Sequence, residues 1–321
     1  MEIGLDDIRQ AADRIAPHAH RTPLMRSSSL DALAGAHLWF KCENLQRVGA
    51  FKFRGACNAV LSLTDDQAAR GVVTHSSGNH AQALALAARI RGIAANIVMP
   101  VSAPPVKVAA VESYGGRIIR CEPTQADRER VARRVLEQTG AELIHPYDDP
   151  RIIAGQGTAA LELLEQAGTL DLVLAPVGGG GLISGTLIAV AAMSPSTRVI
   201  GVEPLGADDA RRSLEQGHVL PSIEPRTIAD GLLTSLSPRT FAIIQRHIEA
   251  IVTSSDESTI EAMRLVWERM KLVIEPSAAV PLGALLEGNV PGVNGKRVGI
   301  ILSGGNVDLD ALPWRRSDPG A

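Results

Sequence analysis

Cysteine is scarce in this 321-residue chain. The three cysteines, Cys42, Cys57 and Cys121, are an odd number and show no metal-like spacing. A disulfide framework needs paired cysteines and an oxidising compartment. The sequence therefore argues against a disulfide-stabilised fold and favours a reducing compartment.

The chain also lacks a marked excess of either charge. Its 32 Lys and Arg residues nearly balance 35 Asp and Glu residues, which gives a net charge of -3 and a pI near 6.3. Nucleic acids and anionic membranes attract strongly basic surfaces. Neither is expected as a partner, and a small-molecule ligand is favoured.

Long hydrophobic runs are missing as well. No apolar segment approaches the roughly 18 residues that a membrane span requires. The N-terminal segment MEIGLDDIRQAADRI has the spacing of an amphipathic helix and differs from a signal peptide. These features predict a soluble cytoplasmic protein.

The chain has no P-loop pattern, but it carries a glycine loop, Gly178 to Leu182, between an apolar strand pattern and a helix pattern. Backbone N–H groups in such a loop can surround an anion, and the helix N-terminus favours it. A dinucleotide site is the alternative, since Glu203 lies about 20 residues further on. The G-x-G-x-x-G fingerprint is not met, because from Gly179 its last position is Ser184.

Aromatic residues form only 3% of the chain, and two of its four phenylalanines flank Lys52 in the segment GAFKFRGA. A surface lysine whose stem packs on these rings is one interpretation. The other is that apolar neighbours desolvate the amine and lower its pKa. A neutral amine is a nucleophile that can attack an aldehyde.

Strand and helix patterns alternate along most of the chain. One series runs from GVVTHSSGNH to AELIHP, and a second runs from GQGTAALELLEQAG through DLVLAPVGGGG and TRVIGVEP to KRVGIILSGGN. Such alternation predicts an α/β fold with two largely parallel, twisted sheets that carry helices on both faces. Ligands are then expected at the carboxyl ends of the strands.

Polar motifs occur at several of these strand ends. The segment SSGNH, Ser76 to His80, either caps the following helix or holds a substrate carboxylate. The segment SGGN offers the hydroxyl of Ser303 or is a simple turn. The carboxylates of Glu203 and Asp209 in EPLGADD either cap a helix that begins near Asp208 or bind a hard cation.

These motifs occur in a familiar order, together with KCENLQRVGAFKFRGACNAV, AGQGT, ADG and ERMKLVIEPSAA. The set resembles the pyridoxal-phosphate (PLP) dependent serine/threonine dehydratases and serine racemases of the tryptophan-synthase-β fold, or fold type II. The likeness covers nearly the whole chain and is strongest to eukaryotic-type serine racemase. It implies a large PLP-binding domain of residues 1–70 and 146–321, a small domain of residues 71–145, and a homodimer.

The resemblance also implies a role for each motif. Lys52 would form the Schiff base with PLP, Phe51 would stack on the cofactor ring, and Asn79 would bond its hydroxyl. Ser303 would bond the pyridine nitrogen. The phosphate would be held by Gly178, Gly179, Gly180, Gly181 and Leu182.

The substrate and metal residues follow in the same way. Ser76, Ser77 and His80 would hold the substrate carboxylate, and Ser77 would face Cα opposite Lys52. Arg128 and Thr234 would approach the far end of the substrate. Mg²⁺, or Mn²⁺ or Ca²⁺ in its place, would be bound by Glu203, the Ala207 carbonyl and Asp209.

Four features depart from the family pattern. Ala50 and Ala81 stand where the family usually has Ser and Gly, which leaves the shape of the pocket and the substrate open. Val48 replaces a polar residue near the nucleotide-effector site of animal racemases, which argues against activation by ATP. The chain ends soon after GNVDL, so the C-terminal regulatory domain of biosynthetic threonine dehydratases is not expected.

The residues then predict a lyase that converts L-serine or L-threonine to a 2-oxo acid and ammonia, together with serine racemisation. Lys52 would act as the base at Cα. Ser303, a neutral hydroxyl, would favour loss of the β-hydroxyl over transamination. A 3-hydroxyaspartate ammonia-lyase is an alternative, since Arg128 would suit a second carboxylate. A non-catalytic PLP- or nucleotide-binding protein is an alternative of another class.

Overall fold

The computed structural model describes residues 3–314, apart from the side chain of Gln125. The C-terminal segment RRSDPGA, which its composition predicts to be a polar tail, lies outside these residues, as does the start of the predicted N-terminal helix. The described strands are β1 (Leu24–Met25), β2 (His37–Cys42), β3 (Val72–His75), β4 (Ala95–Pro100), β5 (Arg117–Cys121), β6 (Glu142–Leu143), β7 (Leu172–Pro176), β8 (Arg198–Pro204), β9 (Ala250–Ser254) and β10 (Arg297–Leu302).

The strands form two sheets in the described part of the chain. The first has the order β1-β2-β10-β7-β8-β9, and only the β1–β2 pair is antiparallel. The second has the order β5-β4-β3-β6 and is wholly parallel. The predicted α/β class with two largely parallel sheets is confirmed.

Helices surround both sheets. They are α1 (Leu5–Ile15), α2 (Ser28–Ala34), α3 (Lys52–Leu61), α4 (Asp65–Ala69), α5 (Asn79–Arg91), α6 (Pro105–Ser113), α7 (Gln125–Thr139), α8 (Pro150–Ala167), α9 (Gly181–Met193), α10 (Asp209–Gln216), α11 (Pro238–His247), α12 (Asp256–Met270) and α13 (Pro276–Leu286). None of these helices has both the length and the apolar character needed to span a bilayer.

The central strands of both sheets are covered on both faces. All residues of β4 and β7 are buried, and apolar side chains pack on either side of the first sheet in separate clusters. Burial on both faces explains why these strands are continuous apolar runs without polar alternation. Strand β5 lies at the edge of the second sheet, and Arg117 and Arg120 are exposed there.

The two sheets are built from different parts of the chain. Strands of the second sheet lie between Val72 and Leu143, and those of the first lie before and after this segment. The exact domain boundaries at residues 70/71 and 145/146 stay a prediction. The homodimer and the cytoplasmic location also stay predictions.

Helix α3 is fixed to its surroundings by a buried ion cluster. The guanidinium of Arg54, which is fully buried, donates to Glu43 at 2.7 Å and to Glu162 of α8 at 2.8 Å. Lys41 Nζ donates to the same Glu162 at 2.6 Å. Two cations and two anions balance in this cluster, and such mutual pairing is what makes buried charge tolerable. The helix that begins at Lys52 is thereby held against α8.

Candidate active site

Lys52 is the first residue of α3, and its Nζ donates to the Pro146 carbonyl at 3.0 Å. Burial lowers the pKa of Lys52 to about 8, partly opposed by the Glu275 carboxylate. The direction agrees with the desolvation predicted from the sequence. The lowered pKa makes a larger fraction of this amine neutral near pH 8 than for an exposed lysine.

Only one of the two flanking phenylalanines lies beside the amine. The Phe51 ring centroid is 5.2 Å from Lys52 Nζ. Phe53 is fully buried in the core cluster behind α3, and its ring faces Arg47. Successive side chains of a helix point in directions about 100° apart, so two neighbours of Lys52 in sequence do not share its surroundings. The sequence suggested that both phenylalanines border the amine, whereas the structure places only the Phe51 ring beside it.

A strained turn precedes Lys52. Val48 has a φ of 56°, a left-handed conformation that is unfavourable for a β-branched residue. The Val48 carbonyl accepts a hydrogen bond of 2.6 Å from Asn306 Nδ2, and the Gly49 carbonyl accepts one of 2.9 Å from Gly305 N. Strain of this kind persists only when neighbours hold it in place. The SGGN loop thus determines how the chain enters α3.

The loop SSGNH connects β3 to α5. Gly78 occupies the N-cap position and no side chain caps the helix, so the capping alternative for Ser77 and Asn79 is not observed. Asn79 instead donates to both carboxylate oxygens of Glu275, at 3.0 and 3.1 Å, and accepts from Asn306 at 2.9 Å. The first N–H groups of α5 have no partner within the helix, which suits an anionic ligand.

His80 is buried, and its ring is neutral. Burial and the charge of Lys52 hold the pKa of His80 well below its ordinary value. Its Nε2 is 3.3 Å from the Ile144 carbonyl, which can only accept, so the ring proton is on Nε2. Nδ1 is then an acceptor and cannot donate a hydrogen bond to a carboxylate. The backbone N–H of His80 is the group that fits the predicted role.

The glycine loop is crowded on every side. A Cβ on Gly179 would lie 2.2 Å from the Tyr147 ring, and one on Gly180 would lie 2.7 Å from Thr240. Gly180 also has a φ of 88° and forms the N-cap of α9. Only glycine fits, and the loop leads directly into the unpaired N–H groups of a helix N-terminus. Leu182 is buried in the core, so its backbone alone can contact an anion.

Ser303 directly follows β10 and is buried. Its carbonyl accepts a hydrogen bond of 3.0 Å from the N–H of Phe51, which places the SGGN loop beside the lysine. Glu275 adjoins this loop, since its N–H donates to the Gly304 carbonyl. Burial raises the pKa of the Glu275 carboxyl to about 7. Sequence reasoning missed Glu275 and Asn306, although both lie in the quoted motifs EPSAA and SGGN.

Two histidines and a tyrosine cluster near the ends of β3 and β6. The His145 ring lies 4.6 Å from the Tyr147 ring and 5.7 Å from the His75 ring, in edge-on contacts. Burial lowers the pKa of His145 to about 4. Sequence reasoning also missed this cluster, which follows β3 and β6 in a parallel sheet whose strand ends meet at one edge.

The structure places the two predicted distal residues differently. Arg128 is half-buried on α7, where its charge acts to lower the pKa of His75, and its Nε is buried without a hydrogen-bond partner. Thr234 is exposed on the loop that follows the 3₁₀ turn Asp230–Leu232. Arg128 therefore borders the histidine cluster, whereas no contact joins Thr234 to it among the described residues.

Glu203 and Asp209 lie beside the glycine loop, because β8 pairs with β7 in the sheet. Glu203 caps α10, since its carboxylate accepts from Ala210 N at 2.9 Å and from Arg211 N at 2.8 Å. Neither buried oxygen of Asp209 has a hydrogen bond of good geometry, although the Ser222 side chain is close enough to lower the pKa of its carboxyl. Burial raises the pKa of Glu203 to about 8 and that of Asp209 to about 6.

This donor set fits a cation only in part. No cluster of three or more His, Cys, Asp or Glu side chains that could hold a metal occurs among residues 3–314. The capping alternative is realised for Glu203. A buried carboxylate such as that of Asp209 is costly unless it is protonated or has a positive partner. The Ala207 carbonyl, in the 3₁₀ turn Leu205–Ala207, is close in the chain to both.

Comparison with known proteins agrees with the geometry. The chain matches the family described as "Pyridoxal-phosphate dependent enzyme" over residues 15–304. A β-hydroxyaspartate dehydratase of Paracoccus denitrificans is 52% identical over 309 residues, which cover 96% of this chain and 98% of that protein. A serine racemase of Arabidopsis thaliana is also 52% identical over 309 residues, covering 95% and 93%.

The fold has a close counterpart among solved structures. The crystal structure of serine racemase from Dictyostelium discoideum superposes with a TM-score of 0.92 at 47% identity, and covers 96% of this chain and 99% of that chain. The predicted assignment to fold type II is thereby confirmed. The roles of the individual site residues stay predictions.

Proposed function

Because the chain belongs to the pyridoxal-phosphate dependent enzyme family, we propose that it converts β-hydroxy amino acids to 2-oxo acids and ammonia. Water is lost from the β-carbon and is taken up again when the resulting enamine hydrolyses. L-serine and L-threonine would give 2-oxo acids, and serine would also be racemised. The observation that supports this is the convergence of four motifs. Lys52 Nζ donates to the Pro146 carbonyl, and the next residue, Tyr147, packs on Gly179 of the glycine loop. The N–H of Phe51 donates to the Ser303 carbonyl in the SGGN loop. The positive charge of Lys52 also acts to lower the pKa of His80 in the SSGNH loop.

The residues present fit the cofactor. The glycine loop suits its phosphate, because it leads into the free N–H groups at the start of α9, and the lowered pKa of Lys52 suits covalent attachment. Phe51, Asn79 and Ser303 would contact its ring. When bound, the cofactor supplies the electron-withdrawing group that acidifies Cα–H. The protein supplies orientation and proton transfer.

Two residues would move the proton at Cα. Lys52 Nζ would remove it from one face and Ser77 Oγ would serve the opposite face. Loss of the β-hydroxyl after proton removal gives elimination, and protonation from the Ser77 side gives racemisation. Ser76, Ser77 and the backbone N–H of His80 would hold the substrate carboxylate.

A second candidate activity is that of a threo-3-hydroxyaspartate ammonia-lyase. The unpaired Nε of Arg128 and the adjacent histidine cluster favour it, because a second carboxylate would find a donor there. Thr234 would contact the substrate only if its exposed loop approaches the candidate active site.

A substrate panel tests both candidates. Release of 2-oxo acid should be measured for L-serine, L-threonine and L-threo-3-hydroxyaspartate with the wild type, Arg128→Leu and Arg128→Lys. A hydrogen bond to a charged group contributes about 1.5–3 kcal/mol, so Arg128→Leu should lower kcat/KM for hydroxyaspartate by roughly 10- to 100-fold. Turnover of L-serine should change little, and Arg128→Lys should retain part of the hydroxyaspartate activity.

The outcomes separate the candidates. An equal loss for all three substrates would remove Arg128 from the specificity argument. Absence of 2-oxo acid from every substrate, in protein that carries PLP, would contradict the proposed lyase and favour a non-catalytic binding protein.

We also propose a divalent cation at Asp209, Glu203 and the Ala207 carbonyl, with Mg²⁺, Mn²⁺ or Ca²⁺ as candidates. Hard cations prefer such oxygen ligands. The charge of Asp209 acts to raise the pKa of Tyr147, which packs on the glycine loop. A cation here would therefore order the region that binds phosphate without contacting the substrate.

Removal of the cation is expected to lower thermal stability and activity together. A ligand that binds only the folded state contributes about 2.7 kcal/mol at a hundredfold excess over its Kd, so Tm should fall by several degrees on chelation. Differential scanning fluorimetry with and without chelator, followed by metal addition, measures this. Asp209→Asn should abolish the response and leave the Glu203 cap intact.

Asp208→Asn is the matched control, because Asp208 pairs with Arg211 and Arg212 at the surface of the same helix. It should keep the response to metal. If the wild type contains no metal and is indifferent to chelator, Glu203 is only a helix cap and the cation proposal fails.

A further inference from the structure

Helix α8 crosses α3 at an unusually short distance. A Cβ on Gly155 of α8 would lie 2.6 Å from Gly55 Cα and 2.8 Å from the Arg54 carbonyl. A Cβ on Gly55 would lie 2.9 Å from the Ile152 carbonyl of α8. The two helix backbones are therefore in direct contact, without a layer of side chains between them.

The same helix makes a second contact of this kind with α9. A Cβ on Gly185 would lie 2.5 Å from both the Gly157 N and the Ile153 carbonyl. A Cβ on Gly157 would in turn lie 3.0 Å from the Gly185 carbonyl. Helix α8 thus touches α3 on one side and α9 on another, through glycines two residues apart.

Both contacts lie close to the candidate site. Helix α3 begins at Lys52 and α9 begins at Gly181, so Gly55 and Gly185 are each about one helical turn from these ends. Other bonds hold the same pair of helices. Gln156 of α8 accepts from Gly55 N at 3.1 Å, and Arg54 reaches Glu162 of α8.

We propose that Gly155 and Gly185 are positioning residues that set the distance between the Lys52 amine and the glycine loop. The inference rests on the proposed function, in which PLP is held at its aldehyde by Lys52 and at its phosphate by this loop. Attachment at one end raises the effective concentration of the other end only if the spacing matches. A backbone contact fixes spacing better than side chains, which can change rotamer.

Alanine at either position should alter that spacing. Contacts below 3.0 Å to backbone atoms cannot be relieved by a rotamer change, so the helices must move apart. Gly155→Ala would displace α3 with Lys52, and Gly185→Ala would displace α9 with the glycine loop. A misplacement of about 1 Å in a preorganised site can cost on the order of 100-fold.

Binding of three ligands to the apoprotein distinguishes a changed distance between Lys52 and the glycine loop from local damage to either one. Inorganic phosphate probes the glycine loop alone, pyridoxal probes condensation with the Lys52 amine alone, and PLP probes both. Kd values from equilibrium dialysis give a coupling, the affinity for PLP relative to the separate affinities for phosphate and pyridoxal. Borohydride reduction and peptide mass spectrometry confirm which lysine is attached.

Gly155→Ala and Gly185→Ala are expected to reduce the coupling at least 10-fold, while phosphate and pyridoxal each bind within about threefold of wild type. Gly283→Ala is the matched control. Gly283 lies in α13 and its Cβ would lie 2.5 Å from Ser254 Oγ at the end of β9, so the change should lower Tm while leaving the coupling unchanged. If Gly155→Ala and Gly185→Ala do not fold, Gly157→Ala provides a milder change, since its Cβ would lie 3.0 Å from the Gly185 carbonyl. It should lower the coupling by a smaller factor.

Retention of the wild-type coupling in the α8 and α9 variants would overturn the inference. So would an equal loss of coupling in Gly283→Ala, since the effect would then follow general stability. If wild-type apoprotein does not attach PLP at Lys52 at all, the proposed function fails and the spacing role fails with it.

Discussion

Lys52→Ala is expected to abolish turnover of L-serine and L-threonine, with a loss of about 1000-fold or more, since both nucleophile and base are removed. Its amine is the one at the start of α3, beside Phe51, and burial lowers its pKa to about 8. Steady-state release of 2-oxo acid measures the first effect. The second is loss of covalent PLP, which borohydride reduction and mass spectrometry detect.

The pH dependence gives an independent check on the same residue. A lysine whose pKa is lowered becomes neutral at lower pH, so reconstitution of wild-type apoprotein with PLP should speed up as pH rises through about 8. Lys296→Ala is the control, because Lys296 forms an exposed ion pair with Asp171. It should match the wild type in activity, attachment and pH profile. Retention of steady-state turnover in folded Lys52→Ala would show that the central assignment is wrong.

Much of the fold could be predicted because its strands carry strong local signals. The runs that became β3, β4, β7, β8 and β10 are apolar and end in polar or glycine loops. Strands β1, β2 and β9 were not identified from the sequence. Helix α8 begins at Pro150, before the predicted start at GQGT, because Asp149 caps it and proline suits the first position.

The site was predictable where one motif carries one role and unpredictable where distant segments meet. The position of Lys52 between two phenylalanines predicted a special lysine, and its role stays a prediction. The contacts of Asn79 with Glu275 and Asn306 join residues separated by 196 and 227 positions, and no local pattern reports such pairs. Tyr147 shows the same limit, since its packing on Gly179 depends on how two sheets approach one another.

The segment EPLGADD shows why residue spacing alone left two interpretations open. Two carboxylates near a helix start can bind a cation or cap the helix, and the sequence pattern is the same. In the structure Glu203 caps α10, while the buried carboxylate of Asp209 has no hydrogen bond of good geometry. Which use dominates depends on burial and on the path of the backbone, and neither can be read from residue spacing.

Ser77→Ala is expected to separate racemisation from elimination. Ser77 lies in the loop before α5, where no side chain caps the helix, so its hydroxyl is not required by local structure. In the proposed arrangement it serves the face of Cα opposite Lys52. Its removal should lower formation of D-serine from L-serine, and any action on D-serine, by at least about 100-fold, the scale of a lost acid–base group.

Elimination from L-serine should survive within about tenfold, since Lys52 still reaches the proton on its own face. Chiral chromatography of serine and an assay of pyruvate, run on the same sample, measure both reactions. Ser76→Ala is the matched control, because Ser76 neighbours Ser77 but is assigned only to carboxylate binding. It should raise KM for both reactions alike, without changing their ratio. Loss of the carboxylate contact of Ser77 should raise KM for both reactions, so the comparison is made on kcat. An equal fall in kcat of both L-serine reactions in Ser77→Ala would contradict the two-faced arrangement, because proton transfer by Ser77 serves only the face of Cα opposite Lys52.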